Sequence, residues 1–223
     1  IETHRGCLGG CTFCQVPRLF GRSIRSRSID NIVEEVRQMK RQGVSRVAVS
    51  GGTGSLFGYG KQINREAFVE MLRALSGILG KRNLSVPDMR VDLVDEAVLE
   101  AVRDYTIGWV FFGLESGSNA MLKAMKKGVT REDNLRAVEL ARRVGVKVGG
   151  SFIVGYPGES REDYMESMSF LEQAMLDDVF VSIAEPIPGT PLARLALDVP
   201  EEEMALYQEH DGDYRALHLS EAE

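Results

Sequence analysis

The chain has 223 residues, 43% of them apolar and 27% charged, with 23 Gly and 7 Pro, a mixture that excludes disordered, collagen-like and disulfide-rich classes. Its formal net charge is -6, and no apolar run reaches the ~20 residues that a membrane-spanning helix needs. That charge hides a gradient: residues 1 to 50 hold nine Lys or Arg against four acids, and residues 157 to 223 hold three against seventeen.

No basic segment followed by an apolar stretch opens the chain, so a soluble, unexported, cytoplasmic protein without a membrane partner is expected. A chain of this length buries a core without metal or disulfide staples, so a metal site in it is expected to serve chemistry. The sequence begins at Ile1, and Cys7 follows six residues later; an upstream segment is therefore expected.

Six times the sequence passes from a short apolar run to a helix-period segment, the pattern of βα units feeding a parallel sheet. The first strand is expected at Ile1 to His4. A long loop runs to Arg27, and Ser28 then caps a helix with Ile29, Ile32, Val33, Val36 and Met39 on one face, ending at Gly43. A second strand, Arg46 to Ser50, enters the turn Gly51-Gly52-Thr53-Gly54, and Asn64 caps a helix carrying Phe68, Met71, Leu72 and Leu75. A third strand is expected at Leu84 to Val91, weakened by Pro87, with a helix from Val94 to Tyr105. The fourth, Ile107 to Leu114, is nearly all apolar, as expected of a strand covered on both faces. A short helix near Ala120 to Met125 follows, and Thr130 with Asp133 makes a capping box for a helix closed by Gly145. The fifth strand is Lys147 to Val154, with a helix from Arg161 to Met175, and the sixth is Val179 to Ala184. Pro186, Pro188, Gly189 and Pro191 then form a rigid loop. The core domain is expected over residues 1–197, and the acidic tail, 198–223, reads as a weakly packed helix or linker. Methionines at helical spacing, such as Met39, Met71 and Met175, read as core filling, and His210 and His218 as exposed and inert.

Repeated right-handed βα crossovers build either an open doubly wound sheet or a barrel-like arc. In both, ligands sit at the carboxyl ends of the strands, and Asp92, Tyr156 and Glu185 are expected there as substrate contacts and candidate catalytic groups. Gly51 to Gly54 is not a P-loop, because Gly60-Lys61 is followed by Gln62 and lacks the first glycine at the required offset.

All three cysteines, Cys7, Cys11 and Cys14, fall within eight residues. An odd count so closely spaced in an unexported chain reads as metal ligation, and Gly6, Gly9 and Gly10 allow the backbone to wrap tightly. Zinc would take His4 as a fourth ligand; a 4Fe-4S cluster on three cysteines would keep one iron open for a substrate or cofactor.

The Cys-x3-Cys-x2-Cys loop directly after the first strand, with Phe13 before the last cysteine, resembles the radical S-adenosylmethionine superfamily, closest to its cobalamin-binding and methylthiotransferase-like members. The resemblance runs from Glu2 to about Leu195. It implies a partial (β/α)6 TIM-like barrel with parallel strands, and a 4Fe-4S cluster on the three cysteines whose open iron chelates S-adenosylmethionine. Reductive cleavage then yields a 5'-deoxyadenosyl radical that abstracts a substrate hydrogen. Ser50-Gly51-Gly52-Thr53 resembles the Gly-Gly-Glu segment whose backbone binds the methionine amino group, with Thr53 in place of the usual acid. Gly113-Leu114-Glu115-Ser116-Gly117-Ser118 resembles the end of strand four, where Glu115 would touch the ribose or methionine part of the cofactor. Ser151 to Glu159 resembles the strand-five motif that packs on adenine, and Pro186 to Pro191 the Pro-Gly-Thr-Pro segment after strand six. The implied cofactor contacts are Phe13, Ser50, Gly51, Gly52, Thr53, Glu115, Ser116, Ser151, Ile153 and Gly155.

The opening Ile1 to Cys7 resembles transferases with an upstream cobalamin-binding domain, so a cobalamin-dependent radical methylation is the first expectation. A methylthiotransferase of tRNA or protein is the alternative, and it fits Arg18, Arg22, Arg25 and Arg27, a stretch suited to a phosphate-bearing substrate or simply a solvated basic loop. A non-enzymatic zinc or redox-sensing module is the alternative of another class. The family also implies a low-potential electron donor, flavodoxin or ferredoxin.

Overall fold

The structure is a computed structural model that describes residues 1–198, 206–208 and 214–216. The first three residues lie parallel to the second strand: Glu2 bridges Ser50, the Thr3 N–H donates to the Ser50 carbonyl at 3.0 Å, and the Ser50 N–H donates to the Ile1 carbonyl at 2.9 Å. The chain then leaves this ladder. β1 (His4–Arg5) pairs antiparallel with β2 (Arg25–Ser26), a clasp that the βα pattern did not foresee and that closes the loop carrying α1 (Val16–Leu19). α2 (Ile29–Arg41) starts where Ser28 accepts the Asn31 N–H, as expected.

β3 (Val47–Ala48) leads through a 3-10 turn to α3 (Arg65–Leu79), capped by Asn64. The strand expected from Leu84 to Val91 is divided into β4 (Leu84–Ser85) and β5 (Asp88–Met89). Pro87 is the reason: it has no N–H for the ladder, although its carbonyl still accepts the Phe111 N–H at 2.6 Å. α4 (Glu96–Tyr105) follows, capped by Asp95. Next come β6 (Trp109–Glu115), α5 (Asn119–Ala124), α6 (Arg131–Val144), β7 (Lys147–Val154), α7 (Arg161–Ala174) and β8 (Asp178–Ile183). The Thr130–Asp133 capping box is present, and Ser160 with Asp163 makes a second at α7.

β3 pairs parallel with β4, and the larger sheet runs β5-β6-β7-β8, all parallel. Spatial order follows chain order. A doubly wound sheet would reverse at a switch point, so this is the singly wound arc of a partial (β/α)6 barrel. The core lies between strands and helices: Ile32, Phe68, Leu72, Leu99 and Val138 pack with Leu84, Val110, Phe112 and Val148, each side chain contributing about 1.5–3 kcal/mol on burial. A second cluster joins Met121, Met125, Ile153, Tyr156, Ala184 and Leu192, with Phe13 against it.

β6 is not sealed on both faces as expected: Val110, Phe112 and Leu114 are buried, whereas Trp109 and Phe111 are half-buried on the concave side. The edge strand β8 leaves Val179, Phe180, Val181 and Ile183 exposed, Phe180 by 60%. Met71 is in the core, but Met175 is 69% exposed, because it ends α7 in a left-handed conformation pointing to solvent. The Pro186 to Pro191 loop ends in a helix that was not expected, α8 (Pro191–Asp198). The Thr190 hydroxyl caps it by accepting the Ala193 N–H at 3.1 Å. In the tail, where a helix or linker was expected, β9 (Leu206–Gln208) and β10 (Tyr214–Ala216) pair antiparallel; His210 and His218 lie outside the described residues. Among the described residues, no helix is long and apolar enough to cross a membrane.

Candidate active site

The cysteine loop sits at the carboxyl ends of the strands, and its shape comes from fixed points on either side. Gly6 has φ +102°, and a Cβ there would lie 2.3 Å from the Ser23 carbonyl oxygen, so only glycine fits this turn. Gly10 has nothing within 4 Å and is free of that demand. Thr12 is the main anchor. Its N–H and its hydroxyl donate to the Met125 carbonyl at 2.9 and 3.2 Å, its hydroxyl meets the Tyr156 hydroxyl at 2.7 Å, and its carbonyl accepts the Leu192 N–H at 2.9 Å. Three elements thus hold one loop residue, leaving Cys7, Cys11 and Cys14 as free, half-buried thiols. Burial pushes the Cys14 thiol up from its ordinary value.

The donor set fits an iron–sulfur cluster. Two N–H donors already face sulfur: Gly9 N–H to Cys7 Sγ at 3.4 Å and Arg90 Nη1 to Cys11 Sγ at 3.5 Å, the hydrogen bonding that tunes clusters held by thiolates. Among the described residues, no three His, Cys, Asp or Glu side chains are grouped to hold a single metal ion. His4, the expected fourth zinc ligand, is instead buried beneath Gly51, with Nδ1 at 3.1 Å from the Thr3 hydroxyl. Burial lowers its pKa.

A Cβ on Gly51 would fall 2.4 Å from the His4 ring, so backbone and imidazole are in direct contact. Gly51→Ala is expected to cost about 1–3 kcal/mol through overpacking, read as a shift in the urea midpoint, and His4→Ala in the same chain should recover part of it. Ser50 is exposed beside this turn, Gly52 has φ +94°, and Thr53 is buried.

Glu115 ends β6 at φ +65°, where the register against β7 shifts. Its Oε1 accepts from Lys127 Nζ at 2.7 Å and its Oε2 from the Ser151 hydroxyl at 3.3 Å, deep in the protein. Phe13 and Ile153 pack in the second core cluster. The Gly155 N–H donates to Glu159 Oε2 at 2.6 Å, and burial raises the pKa of that carboxyl.

Four further expected site residues have the following surroundings. Ser116 turns toward α7, its hydroxyl 3.1 Å from that of Ser167 and accepting the Ser118 N–H at 3.0 Å, because the irregularity at Glu115 rotates the following residues. Tyr156 is buried, and its hydroxyl meets that of Thr12 at 2.7 Å. Asp92 is taken up by Arg90, at 2.9 and 3.0 Å. Glu185 is exposed after β8, where a strand-end group was expected. Sequence reasoning missed Arg90, Lys127 and Thr12. Arg90 carried a signal, a lone cation two residues before Asp92 at the same strand end; Lys127 looked like part of an ordinary basic turn.

An open parallel arc with three thiols gathered at its carboxyl edge defines an iron–sulfur enzyme class. The chain belongs to the Radical SAM superfamily, whose profile matches residues 1–171, and that family uses a 4Fe-4S cluster, S-adenosylmethionine and an electron source. A Methanocaldococcus jannaschii protein named as a candidate methylthiotransferase is 61% identical over 223 residues, covering 100% of this chain and 50% of the relative. The tRNA-2-methylthio-N(6)-dimethylallyladenosine synthase of Sulfurihydrogenibium sp. (strain YO3AOP1) is 31% identical over 209 residues, covering 92% of this chain and 47% of the relative. Among solved structures, the radical S-adenosylmethionine methyltransferase TsrM of Kitasatospora setae, with cobalamin and a 4Fe-4S cluster bound, aligns with TM-score 0.72 at 21% identity. That alignment covers 90% of this chain and 41% of the other, a likeness of fold. The chain thus spans about half the length of the curated relatives it matches.

Proposed function

We propose that residues 1–197 form the radical-generating core of a methylthiotransferase acting on tRNA. The observation that carries this reading is the 61% identity along all 223 residues to the M. jannaschii relative. A cluster held by Cys7, Cys11 and Cys14 would supply the single electron that reductive cleavage of S-adenosylmethionine needs. The chain's own residues do the holding. Cys7, Cys11 and Cys14 ligate iron, the Gly51–Gly52 backbone receives the methionine amino group, and Glu115, fixed by Lys127 and Ser151, meets the ribose or methionine part. Phe13, Ile153 and Gly155 line the adenine end.

Exposed Arg18, Arg22 and Arg25 beside the cysteine loop suit a polyanionic substrate. Arg27 does not join them, since it is tied to Asn31, Glu35 and the Glu2 carbonyl. A flavodoxin or ferredoxin in the cytoplasm is the electron donor of this reading. Cobalamin-dependent methylation, favoured by the Ile1 to Cys7 opening, is the second reading, and the methyltransferase likeness agrees with it only in fold.

The test is nucleoside mass spectrometry of tRNA from cells lacking this modification, incubated with the anaerobically reconstituted full-length protein, S-adenosylmethionine and dithionite. A methylthio-nucleoside is expected. A sulfur-free methylated product that requires added cobalamin would overturn this reading in favour of the second.

A further inference from the structure

Arg90 lies immediately after β5, with only 10% of its side chain exposed. Nearly every donor of its guanidinium is assigned. Nε and Nη2 bind the two Asp92 oxygens at 2.9 and 3.0 Å, Nη2 also donates to the Lys127 carbonyl at 2.8 Å, and Nη1 reaches Cys11 Sγ at 3.5 Å. A guanidinium is planar, so fixing one edge on a carboxylate and a carbonyl fixes the direction of the other. The surroundings agree: a Cβ on Gly9 would lie 3.0 Å from Arg90 Nη1, 3.4 Å from Cys7 Sγ and 3.6 Å from Cys11 Sγ. The cation and two sulfurs therefore enclose one small space crossed by the Gly9 backbone.

We propose that Arg90 is a positioning residue for the cluster: it aims Cys11 and holds a buried positive charge against its sulfur, which makes one-electron reduction easier. The proposal rests on the reading of the three cysteines as ligands. Hydrogen bonds to sulfur and local charge set the potential of such clusters. Asp92 offsets this charge only in part, because 37% of its side chain is exposed and solvent screens it, while the nearer guanidinium is buried.

The test is an EPR-monitored redox titration of the anaerobically prepared full-length protein, with iron content and melting temperature measured alongside. Arg90→Met is expected to weaken one-electron reduction at least tenfold, a fall of about 59 mV, with Arg90→Lys in between. Asp92→Asn is expected to move the potential upward, a sign that a merely structural role for Arg90 would not produce. If Arg90→Met fails to hold its cluster, the opposite signs of Arg90→Lys and Asp92→Asn carry the decision. Variants that keep their iron and the wild-type potential would overturn the proposal alone; wild-type protein that binds no cluster would overturn it together with the assignment of the cysteines.

Discussion

Cys11→Ala is expected to reduce 5'-deoxyadenosine formation from S-adenosylmethionine to background and to remove most of the iron from anaerobically reconstituted protein, while the fold survives. Three thiols form the donor set, and no neighbouring His, Asp or Glu is grouped with them to replace a lost sulfur among the described residues. The loop itself does not depend on that sulfur. Thr12 remains bonded to Met125, Tyr156 and Leu192 in the variant, so the apo-protein should melt close to the wild-type temperature. Iron quantification, chromatography of the nucleoside and thermal melting check the three parts together. Full cleavage by the alanine variant would remove Cys11 from the ligand set.

The second large effect concerns Lys127 and Glu115. Their side chains are 5% and 8% exposed and 2.7 Å apart, so Lys127→Met leaves an uncompensated carboxylate in the interior. A loss of about 3–5 kcal/mol is expected, against a few kcal/mol less for Lys127→Met with Glu115→Gln, because replacing both partners removes the buried charge. Glu115 also sits at φ +65°, a conformation that costs a non-glycine residue of order 1–3 kcal/mol. It persists because Lys127 and Ser151 hold its carboxylate and the Asn134 amide donates to the Leu114 carbonyl at 3.0 Å. Urea denaturation of the two single variants and the double variant gives the coupling directly; additive losses would mean that the pair is not coupled.

Much of this was legible along the chain. The Ser28 and Thr130 caps, the helix stripes of Phe68, Met71, Leu72 and Leu75, and the full extent of β7 all rest on signals within a few residues of each other, which is the range over which caps and periodicity act. The thiol loop and the glycine turn at Gly51 were equally local. The long loop after the first strand hid the β1–β2 clasp because its strands are only two residues each and 22 positions apart in the register His4 with Ser26.

The alternation of strands and helices, the spacing of the three thiols and the family to which they belong were readable from the chain alone, since each is written in neighbouring residues. The partners of the strand-end groups emerge only from the folded arrangement. A single irregularity at Glu115 turns Ser116 toward α7, Tyr156 is claimed by Thr12, and Arg90 reaches Cys11 across 79 positions of sequence. Side-chain direction at a strand end depends on register, and a hydrogen bond between distant residues exists only once the arc has brought their strands together.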